Sequence, residues 1–391
     1  DIAGEKPLYF FTNQNFISFA SDLKPISSLP NFKKEISLRA LSEYLKLNYI
    51  PCPNTIYNNI FKIPPASYLE INLSEFKKKN FLNFEDLINC QGIIYKKYWD
   101  IGNIEKKFDQ LSLENNLDNI LTESVSSQLL SDASLGAFLS GGIDSSLIVS
   151  IASKQKSQFE TFTIGYDFDE YDESKNASKI AKFLNTKHTT HICKKNDVID
   201  KIPFLSSAFT EPFADTSQIP TMLVSEIASK NVKVALSGDG GDEIFCGYNR
   251  YIITNKISSF LFMLPYNIRV SFLNLFVKTP NYIKRIIISS FINVNELNIN
   301  SKINNYIKKL KKIKEKYDLY DQYITEWDIF SDKILKPNIN HNFNFKYNEY
   351  FNKDLNLIQS MMDTDFSTYL PDDILCKVDR SSMFYSLETR A

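Results

Sequence analysis

The first 75 residues alternate short apolar runs with turn residues. Runs rich in β-forming residues at Leu8–Phe11 and Asn15–Ala20, separated by a polar turn, predict a β-hairpin. Apolar residues at helical spacing predict a helix over 37–46, and a further strand is predicted to end at Ile71. The Lys- and Asn-rich pattern of 73–108 is irregular and predicts a linker.

A different pattern begins after residue 112, where short apolar strands alternate with helices of about ten residues or more. The predicted order is helix 113–130, strand 135–139, helix 145–153, strand 159–164, helix 174–184, strand 189–193, helix 218–230 and strand 232–236. This alternation is typical of an α/β fold, a parallel sheet with helices on both faces. The change of pattern predicts a first domain at 1–75, a linker at 76–112 and a second domain at 113–391, in which 254–360 form a helical portion.

Composition narrows the class of protein further. A chain of 391 residues has room for two to three domains at about 150 residues each. Lys and Arg (45) balance Asp and Glu (46), so no attraction to nucleic acid or to an anionic membrane is expected. The basic run at 308–316 is interpreted as a solvated helix face. Five cysteines without a C-x-x-C pair and three histidines favour neither a disulfide scaffold nor a zinc site. With no signal peptide and no apolar membrane span, a cytoplasmic protein is expected.

A short glycine loop, Ser140–Ser145, follows the predicted buried strand 135–139 and precedes a helix. Gly141 and Gly142 let the backbone approach an anion, and free N–H groups at the helix start offer a phosphate-sized site. Asp144 would repel a bare phosphate, so it makes sense where Mg²⁺ bridges carboxylate and phosphates. The chain has no G-x-x-x-x-G-K-[ST] sequence, so the loop is not of the Walker type. The plainer alternative is an ordinary Ser/Gly turn.

A second loop of glycine and acidic residues, Ser237–Glu243, also follows an apolar strand. In a parallel sheet both loops emerge at the carboxyl edge, where open α/β sheets bind ligands. Three carboxylates so close together have little structural use unless cations or basic groups neutralise them. A solvated acidic turn is the alternative for this loop alone, but the presence of both loops favours a nucleotide site.

Motifs along nearly the whole chain resemble, in order, the glutamine-hydrolysing asparagine synthetase family. Ser140–Ser145 resembles the pyrophosphate loop of the ATP pyrophosphatase superfamily, and Ser237–Tyr248 resembles the signature of these synthetases. Other matching stretches are F-T-I-G-Y-D (Phe162–Asp167), E-P-F-A-D-T-S-Q-I-P (Glu211–Pro220), Y-L-P-D-D-I-L-C-K-V-D-R-S-S-M (Tyr369–Met383) and S-L-E-T-R (Ser386–Arg390). At the amino end, D-I-A-G-E-K-P-L-Y and F-A-S-D-L-K resemble late strands of an Ntn-type glutaminase domain.

The resemblance implies a fold and a domain order. Residues 1–75 would be the end of an α+β Ntn-type glutaminase (type 2 amidotransferase) domain. Residues 113–391 would be most of a synthetase domain of the ATP-pyrophosphatase type, similar to the adenine nucleotide alpha-hydrolases.

It also implies roles, residue by residue. Leu139 and Ile164 would frame adenine and ribose, and the two glycine loops would hold the phosphates. The implied nucleotide-binding residues are Leu139, Ser140, Gly141, Gly142, Asp144, Ser145, Ile164, Ser237 and Gly238. Asp144 and Asp242 would bind Mg²⁺. Asp239 stands where the family has an acidic residue, often Glu, needed to form the acyl-adenylate, and Lys377 stands at the family's phosphate-contacting Lys.

The sequence departs from the family pattern at its amino end. These glutaminases use an N-terminal Cys as nucleophile, whereas residue 1 here is Asp. Asp1 matches the Asp that meets the amino group of glutamine, so the nucleophile and most of the glutamine pocket are expected upstream of this sequence. At the other end, S-L-E-T-R-A stops where the family continues into V-P-F-L-D.

The implied reaction is the amidation of aspartate through β-aspartyl-AMP, with ATP and with ammonia from glutamine, releasing AMP and pyrophosphate. Attack of a carboxylate on the α-phosphorus needs negative charge spread over Mg²⁺, N–H groups and a Lys, which fits these residues. The alternatives are an amidotransferase acting on another carboxylate such as a sugar acid, a β-lactam-forming synthetase, or a degenerate nucleotide-binding protein. The intact charged residues argue against the last. Expected partners are small molecules, and a homodimer is left open.

Overall fold

A computed structural model describes residues 1–30, 32–101, 110–167, 172–280, 282–284, 286, 307, 309–326 and 351–391. Parts of the predicted linker, of the basic run and of the helical portion 254–360 therefore lie outside the described residues. The chain forms two compact units. The larger unit comprises 1–44, 48–241 and 368–391, and the smaller comprises 45–47 and 242–367.

The strands and helices are numbered in chain order. The strands are β1 (Tyr9–Thr12), β2 (Ile17–Ala20), β3 (Ile60–Lys62), β4 (Ser67–Ile71), β5 (Ile93–Lys97), β6 (Leu135–Phe138), β7 (Glu160–Tyr166), β8 (Lys187–Cys193), β9 (Val234–Leu236) and β10 (Glu388–Arg390). The helices are α1 (Leu23–Ser27), α2 (Leu38–Leu47), α3 (Phe84–Ile88), α4 (Gln110–Gln128), α5 (Ile143–Gln155), α6 (Ser174–Phe183), α7 (Lys195–Lys201), α8 (Leu205–Ala208), α9 (Gln218–Ser229), α10 (Gly241–Phe245), α11 (Asn249–Leu261), α12 (Tyr266–Lys278), α13 (Asp318–Ile324), α14 (Leu357–Ser367) and α15 (Cys376–Phe384). A π-helical turn, Leu370–Leu375, runs directly into α15.

A five-stranded parallel sheet forms the centre of the larger unit, with strand order β10-β9-β6-β7-β8. Its side chains alternate between two apolar layers, as the two-residue period of a strand requires. Leu135 and Ala137 pack with residues of α4, α5 and α6, whereas Phe138 and Ala235 pack with residues of α9. The predicted α/β fold, a parallel sheet with helices on both faces, is confirmed.

The amino-terminal part of the larger unit contains a small antiparallel sheet, β2-β1-β3. The predicted hairpin is confirmed, because β1 and β2 pair with Phe10 opposite Phe19. The strand β3 was not predicted, and its pairing with β1 buries Ile60 and Phe61.

Two parts of 76–112, which the sequence predicts to be an irregular linker, are regular, so that part of the prediction is wrong. Helix α3 begins after Asn83, whose side chain accepts the N–H of Asp86 at 2.7 Å, and β5 pairs antiparallel with β4. The physical reason is burial: Phe84, Leu87 and Ile93 form one apolar cluster with side chains of β1 and β3. Long-range packing of this kind leaves no periodic signal in a Lys- and Asn-rich stretch.

The smaller unit contains a buried carboxylate that accepts hydrogen bonds from three side chains. The side chains of Arg250, Tyr251 and Tyr320 donate to Asp365 Oδ2 at 2.5, 2.7 and 2.5 Å. The Arg250 guanidinium also lies 4.0 Å from the centre of the Tyr248 ring, a cation–π distance. These contacts tie α11, α13 and α14 together through a carboxylate that would otherwise be costly to bury.

Among the described residues, no single helix is long and apolar enough to cross a membrane. One bent pair of helical segments, Gly241–Leu261 with Tyr266–Lys278, has the length and composition of a membrane span, and nothing beyond these two properties supports that role.

Candidate active site

The two glycine loops leave neighbouring strands at the same edge of the parallel sheet. The first loop connects β6 to α5 and the second connects β9 to α10. Since β6 and β9 pair in parallel, with Ala137 opposite Leu236, both loops start at the carboxyl edge. The predicted common edge is confirmed, and it is the edge at which α/β sheets bind ligands.

The loops also contact each other directly. A Cβ on Gly238 would lie 2.8 Å from the backbone nitrogen of Ser145, and a Cβ on Gly241 would lie 2.6 Å from Cγ of Asp144. A side chain at Gly238 would meet backbone and push the loops apart, whereas one at Gly241 would displace the Asp144 carboxylate. The second loop therefore needs glycine at 238 in order to approach the start of α5.

Hydrogen bonds of the first loop differ in part from the sequence expectation of free N–H groups. The N–H of Ser140 donates to Ser145 Oγ at 3.2 Å, and the N–H of Gly142 donates to Ser140 Oγ at 3.2 Å. The expectation is wrong for these two groups, because the loop's own hydroxyls accept their hydrogen bonds. A hydrogen bond from an N–H group to a neutral serine hydroxyl is weaker than a charge-assisted one to a phosphate oxygen. A phosphate could therefore replace the two hydroxyls as the acceptor for these N–H groups. Gly141 has φ +90 and packs against the start of α6, with a built Cβ 2.8 Å from Ala177 N.

The proposed adenine-contacting residues lie beside the loops. The N–H of Leu139 donates to the carbonyl oxygen of Phe162 at 2.9 Å, just beyond the end of β6. Because backbone groups alternate along a strand, those of Ile164 point the same way, past the end of β6. Main-chain groups in that position are directed at the open edge, which suits recognition of a base through Ile164.

Two of the predicted catalytic residues influence each other electrostatically. Asp239 is partly buried in the second loop, and Lys377 is buried on α15. Burial raises the pKa of the Asp239 carboxyl, and the positive charge of Lys377 partly offsets that rise.

Lys377 has a carboxylate partner that the sequence analysis did not single out. Its Nζ lies 3.3 Å from Asp215 Oδ2, and Asp215 Oδ1 accepts both the N–H (2.6 Å) and the hydroxyl (2.5 Å) of Ser217. Burial alone would raise the pKa of the Asp215 carboxyl, but the Lys377 ammonium and the Ser217 donors outweigh it and hold the pKa below its usual value. Asp215 lies within the E-P-F-A-D-T-S-Q-I-P motif, so an acidic residue inside a matched motif was the available signal.

The other predicted ligands have local partners. The carboxylate of Asp242, in the smaller unit, folds against Gly247, where a Cβ would meet Asp242 Oδ1 at 1.8 Å. The Asp1 carboxylate accepts the N–H groups of Gly4, Glu5 and Lys6 at 2.8, 3.0 and 2.9 Å. Their roles toward Mg²⁺ and glutamine stay predictions.

The donor set suits Mg²⁺ held together with phosphates. Within the described ranges, no group of three or more His, Cys, Asp or Glu side chains is arranged to hold a metal ion by itself. Mg²⁺ is commonly bound through one or two carboxylates together with substrate phosphates and waters. The Asp144 carboxylate, at the start of α5 beside Gly241, is a hard oxygen donor of that kind.

Comparison with known protein families identifies the family of this chain. The family model for asparagine synthase matches residues 116–391, and the model for a glutamine amidotransferase domain matches residues 1–82. The chain belongs to the asparagine synthase family. The resemblance inferred from the motifs is therefore confirmed.

Two curated proteins are similar to this chain over different parts of its length. A putative glutamine-hydrolyzing asparagine synthetase 2 of Methanocaldococcus jannaschii is 33% identical over 274 residues, 69% of this chain and 50% of that protein. The glutamine-hydrolyzing asparagine synthetase 1 of Bacillus subtilis is 28% identical over 399 residues, 100% of this chain and 56% of that protein. The chain spans about half the length of these two relatives.

The contact at Gly238 yields a testable prediction. Gly238→Ala introduces a Cβ 2.8 Å from Ser145 N. Because a misplacement of about 1 Å in a catalytic site can cost about 100-fold, we expect ATP-dependent pyrophosphate release to fall by about that factor. Gly142→Ala is the comparison, since its Cβ would meet only the Ser140 hydroxyl, at 3.3 Å, and a smaller loss is expected. Equal losses in the two variants would contradict the argument from loop contact.

A pH dependence follows from Glu243, which is buried in the smaller unit and accepts the Tyr248 hydroxyl at 2.7 Å. Burial raises the pKa of the Glu243 carboxyl from 4.5 to about 7. The folded state therefore holds this proton more tightly than the unfolded state. Its contribution lowers the free energy of unfolding as the pH rises from 4.5 to about 7, by about 3 kcal/mol in total.

Glu243→Gln should abolish this pH dependence and be more stable than the parent protein above pH 7. Denaturant unfolding at several pH values measures both effects. Glu70→Gln, at an exposed position of β4, serves as the control and should leave the profile unchanged. Parallel profiles for Glu243→Gln and the parent would show that Glu243 is not the responsible group.

Proposed function

We propose that this chain forms the synthetase site of an enzyme that amidates aspartate to asparagine. The reaction uses ATP and ammonia derived from glutamine, proceeds through β-aspartyl-AMP and releases AMP and pyrophosphate. The observation that carries the proposal is the meeting of the two glycine loops at one sheet edge, where Gly238 lies against Ser145. Membership of the asparagine synthase family supports it.

In this proposal the sheet edge holds the nucleotide. Leu139 and the main-chain groups of Ile164 frame adenine and ribose, and Ser140–Ser145 binds the pyrophosphate portion through backbone N–H groups and the start of α5. Ser237 and Gly238 approach the nucleotide from the second loop. The close approach of Gly238 to Ser145 brings the two loops together, so that both can contact one chain of phosphates.

Asp144 and Asp242 would hold Mg²⁺ together with phosphate oxygens. When bound, the ion neutralises phosphate charge and orients the phosphates. Without it, the Asp144 carboxylate would repel the phosphate that its own loop binds.

Asp239 and Lys377 act at the reacting centre. The Lys377 ammonium, held by Asp215 at 3.3 Å, offers positive charge where negative charge grows as the acceptor carboxylate attacks the α-phosphorus. Asp239 acts after ATP has bound, in forming the acyl-adenylate. Ammonia then attacks the activated carbonyl, the C–N bond forms, the C–O bond to AMP breaks and a proton leaves the nitrogen.

The glutamine half of the reaction is proposed from the amino-terminal match. Residues 1–75 are taken as the carboxyl-terminal part of a glutaminase domain, 76–112 as the connection and 113–391 as the ATP-binding domain. Asp1 would bind the amino group of glutamine in that arrangement.

The test is pyrophosphate release by the full-length protein with ATP, Mg²⁺, an ammonium salt and a panel of carboxylates. Aspartate is expected to support release, with asparagine and AMP formed in equal amounts. Release with a sugar acid or a β-amino acid, but not with aspartate, would indicate a related amidotransferase or a β-lactam-forming enzyme instead. No release with any carboxylate would overturn the proposal.

A further inference from the structure

A buried lysine joins the amino-terminal segment to two motif segments of the synthetase region. Lys62, the last residue of β3, is 7% exposed. Its Nζ lies 2.8 Å from Glu211 Oε1 and 3.8 Å from Asp372 Oδ1, and it donates to the carbonyl oxygen of Ile50 at 2.7 Å. Lys62 falls within the glutamine amidotransferase match, whereas Glu211 and Asp372 fall within the asparagine synthase match.

Each of the two carboxylates is held twice by the amino-terminal segment. Glu211 Oε2 accepts the N–H of Ile56 at 3.2 Å, and Asp372 Oδ2 accepts the N–H of Cys52 at 2.8 Å. The ammonium of Lys62 and the backbone of 52–56 thus fix both oxygens of each carboxylate. Separate contacts at its two oxygens restrict the orientation of each carboxylate as well as its distance.

The same two segments carry the Lys377–Asp215 pair of the candidate active site. Asp215 follows Glu211 by four residues, before α9 begins. Lys377 follows Asp372 by five residues, and the turn Leu370–Leu375 continues without a break into α15. A shift of Asp372 is therefore transmitted along a continuous helical segment to Lys377.

In the cluster of Lys62, Glu211 and Asp372, the Lys62 ammonium is the positive charge that neutralises the two carboxylates. Burial alone would lower the pKa of the Lys62 amine, but the Glu211 and Asp372 carboxylates outweigh burial and hold the pKa well above its usual value. Two carboxylates face this one ammonium, and burial raises the pKa of Asp372 to about 6. Removing the ammonium would leave two buried carboxylates to repel each other, so both segments would be expected to move.

We propose that Lys62 is a positioning residue for the synthetase reaction, which holds Glu211 and Asp372 so that Asp215 and Lys377 meet at the reacting phosphate. The inference rests on the proposed function, because it assigns Lys377 to the phosphate. It makes the amino-terminal segment a structural part of the synthetase site, although Lys62 itself touches no reacting atom.

The test is a double-mutant cycle in the full-length protein, with ammonium-dependent pyrophosphate release as the readout. Lys62→Met removes the charge and keeps much of the volume. By comparison with other supporting residues, whose loss costs about 10- to 100-fold, we expect kcat to fall by that range while KM for ATP stays within about three-fold. In the Lys377→Ala background the same change should cost less than about two-fold, because the lysine that it positions is gone.

A purely structural role for Lys62 predicts a different result. Lys62→Met would then lower kcat by the same factor with and without Lys377, and that additivity would overturn the proposal. Lys46→Met, which breaks the Lys46–Asp321 ion pair of 3.0 Å, is the control for loss of a partly buried ion pair and should leave kcat unchanged. If Lys62→Met does not fold, Glu211→Gln tests the same cycle, because it removes one charge and keeps the shape.

The proposed function and the positioning role fail in distinguishable ways. Absence of pyrophosphate release by the parent protein with every carboxylate would refute the function. An active parent enzyme with an additive cycle would refute the positioning role alone.

Discussion

Asp239→Ala is expected to leave ATP binding within a few-fold of the parent protein, while pyrophosphate release falls by about 10²–10³ or more. In the proposed reaction Asp239 acts after the nucleotide has bound, so its removal should not weaken the loops that would hold the phosphates. The resemblance places Asp239 where the family often has Glu, and Asp is one methylene shorter. The backbone must therefore approach the ligand more closely, which Gly238 and Gly240, the latter with φ +89, permit.

Equilibrium nucleotide binding and single-turnover pyrophosphate release measure the two effects separately. Asp132→Ala, at an exposed position before β6, is the matched control and should change neither. A large loss of ATP affinity in Asp239→Ala would instead show that this residue contributes to nucleotide binding. Near-normal pyrophosphate release in this variant would show that Asp239 is not needed for formation of the acyl-adenylate.

Asp144→Asn should reduce the use of Mg-ATP by a similar factor, because one electrostatic contact of this kind is typically worth about 10²–10³ in rate. The change keeps the shape of the side chain beside Gly241, so packing of the two loops should be preserved. Loss of one negative charge should weaken the hold on Mg²⁺, and the deficit should shrink as Mg²⁺ is raised. Asp242→Asn is expected to give a loss of the same order.

Steady-state pyrophosphate release over a Mg²⁺ titration is the appropriate measurement. Asp118→Asn, at an exposed position of α4, controls for removal of a carboxylate elsewhere and should give the parent titration curve. Near-normal turnover in Asp144→Asn at low Mg²⁺ would show that Asp144 does not bind the metal ion.

The local pattern of apolar residues was sufficient to predict the strands whose ends form the candidate ligand-binding edge of the sheet. β6 and β9 are short apolar runs next to helices, and burial on both faces of a parallel sheet favours such runs. Their alternation with helices predicted the parallel sheet. The glycine and acidic residues that follow β6 and β9 then predicted the shared edge, because parallel strands end on the same side.

Elements with little local signal were decided by pairing partners far away in the chain. β10 consists of Glu388, Thr389 and Arg390, none of them apolar, and is a strand because it pairs with β9, where Ser237 N–H also donates to the Arg390 carbonyl at 2.9 Å. In the same way α3 and β5 are regular because their apolar side chains complete a cluster with β1 and β3.

By itself, the sequence determined the family, the α/β fold class and the two loops, since these depend on short stretches whose residue types carry the chemistry. The tertiary structure decided which charges meet. Lys62 and Asp372 are 310 residues apart, and Asp215 and Lys377 are 162 apart, yet each pair is brought within 4 Å. Such pairs leave no periodicity in the chain. They form because a charge buried by the fold is stable only beside an opposite charge, and the fold alone determines which opposite charge is within reach.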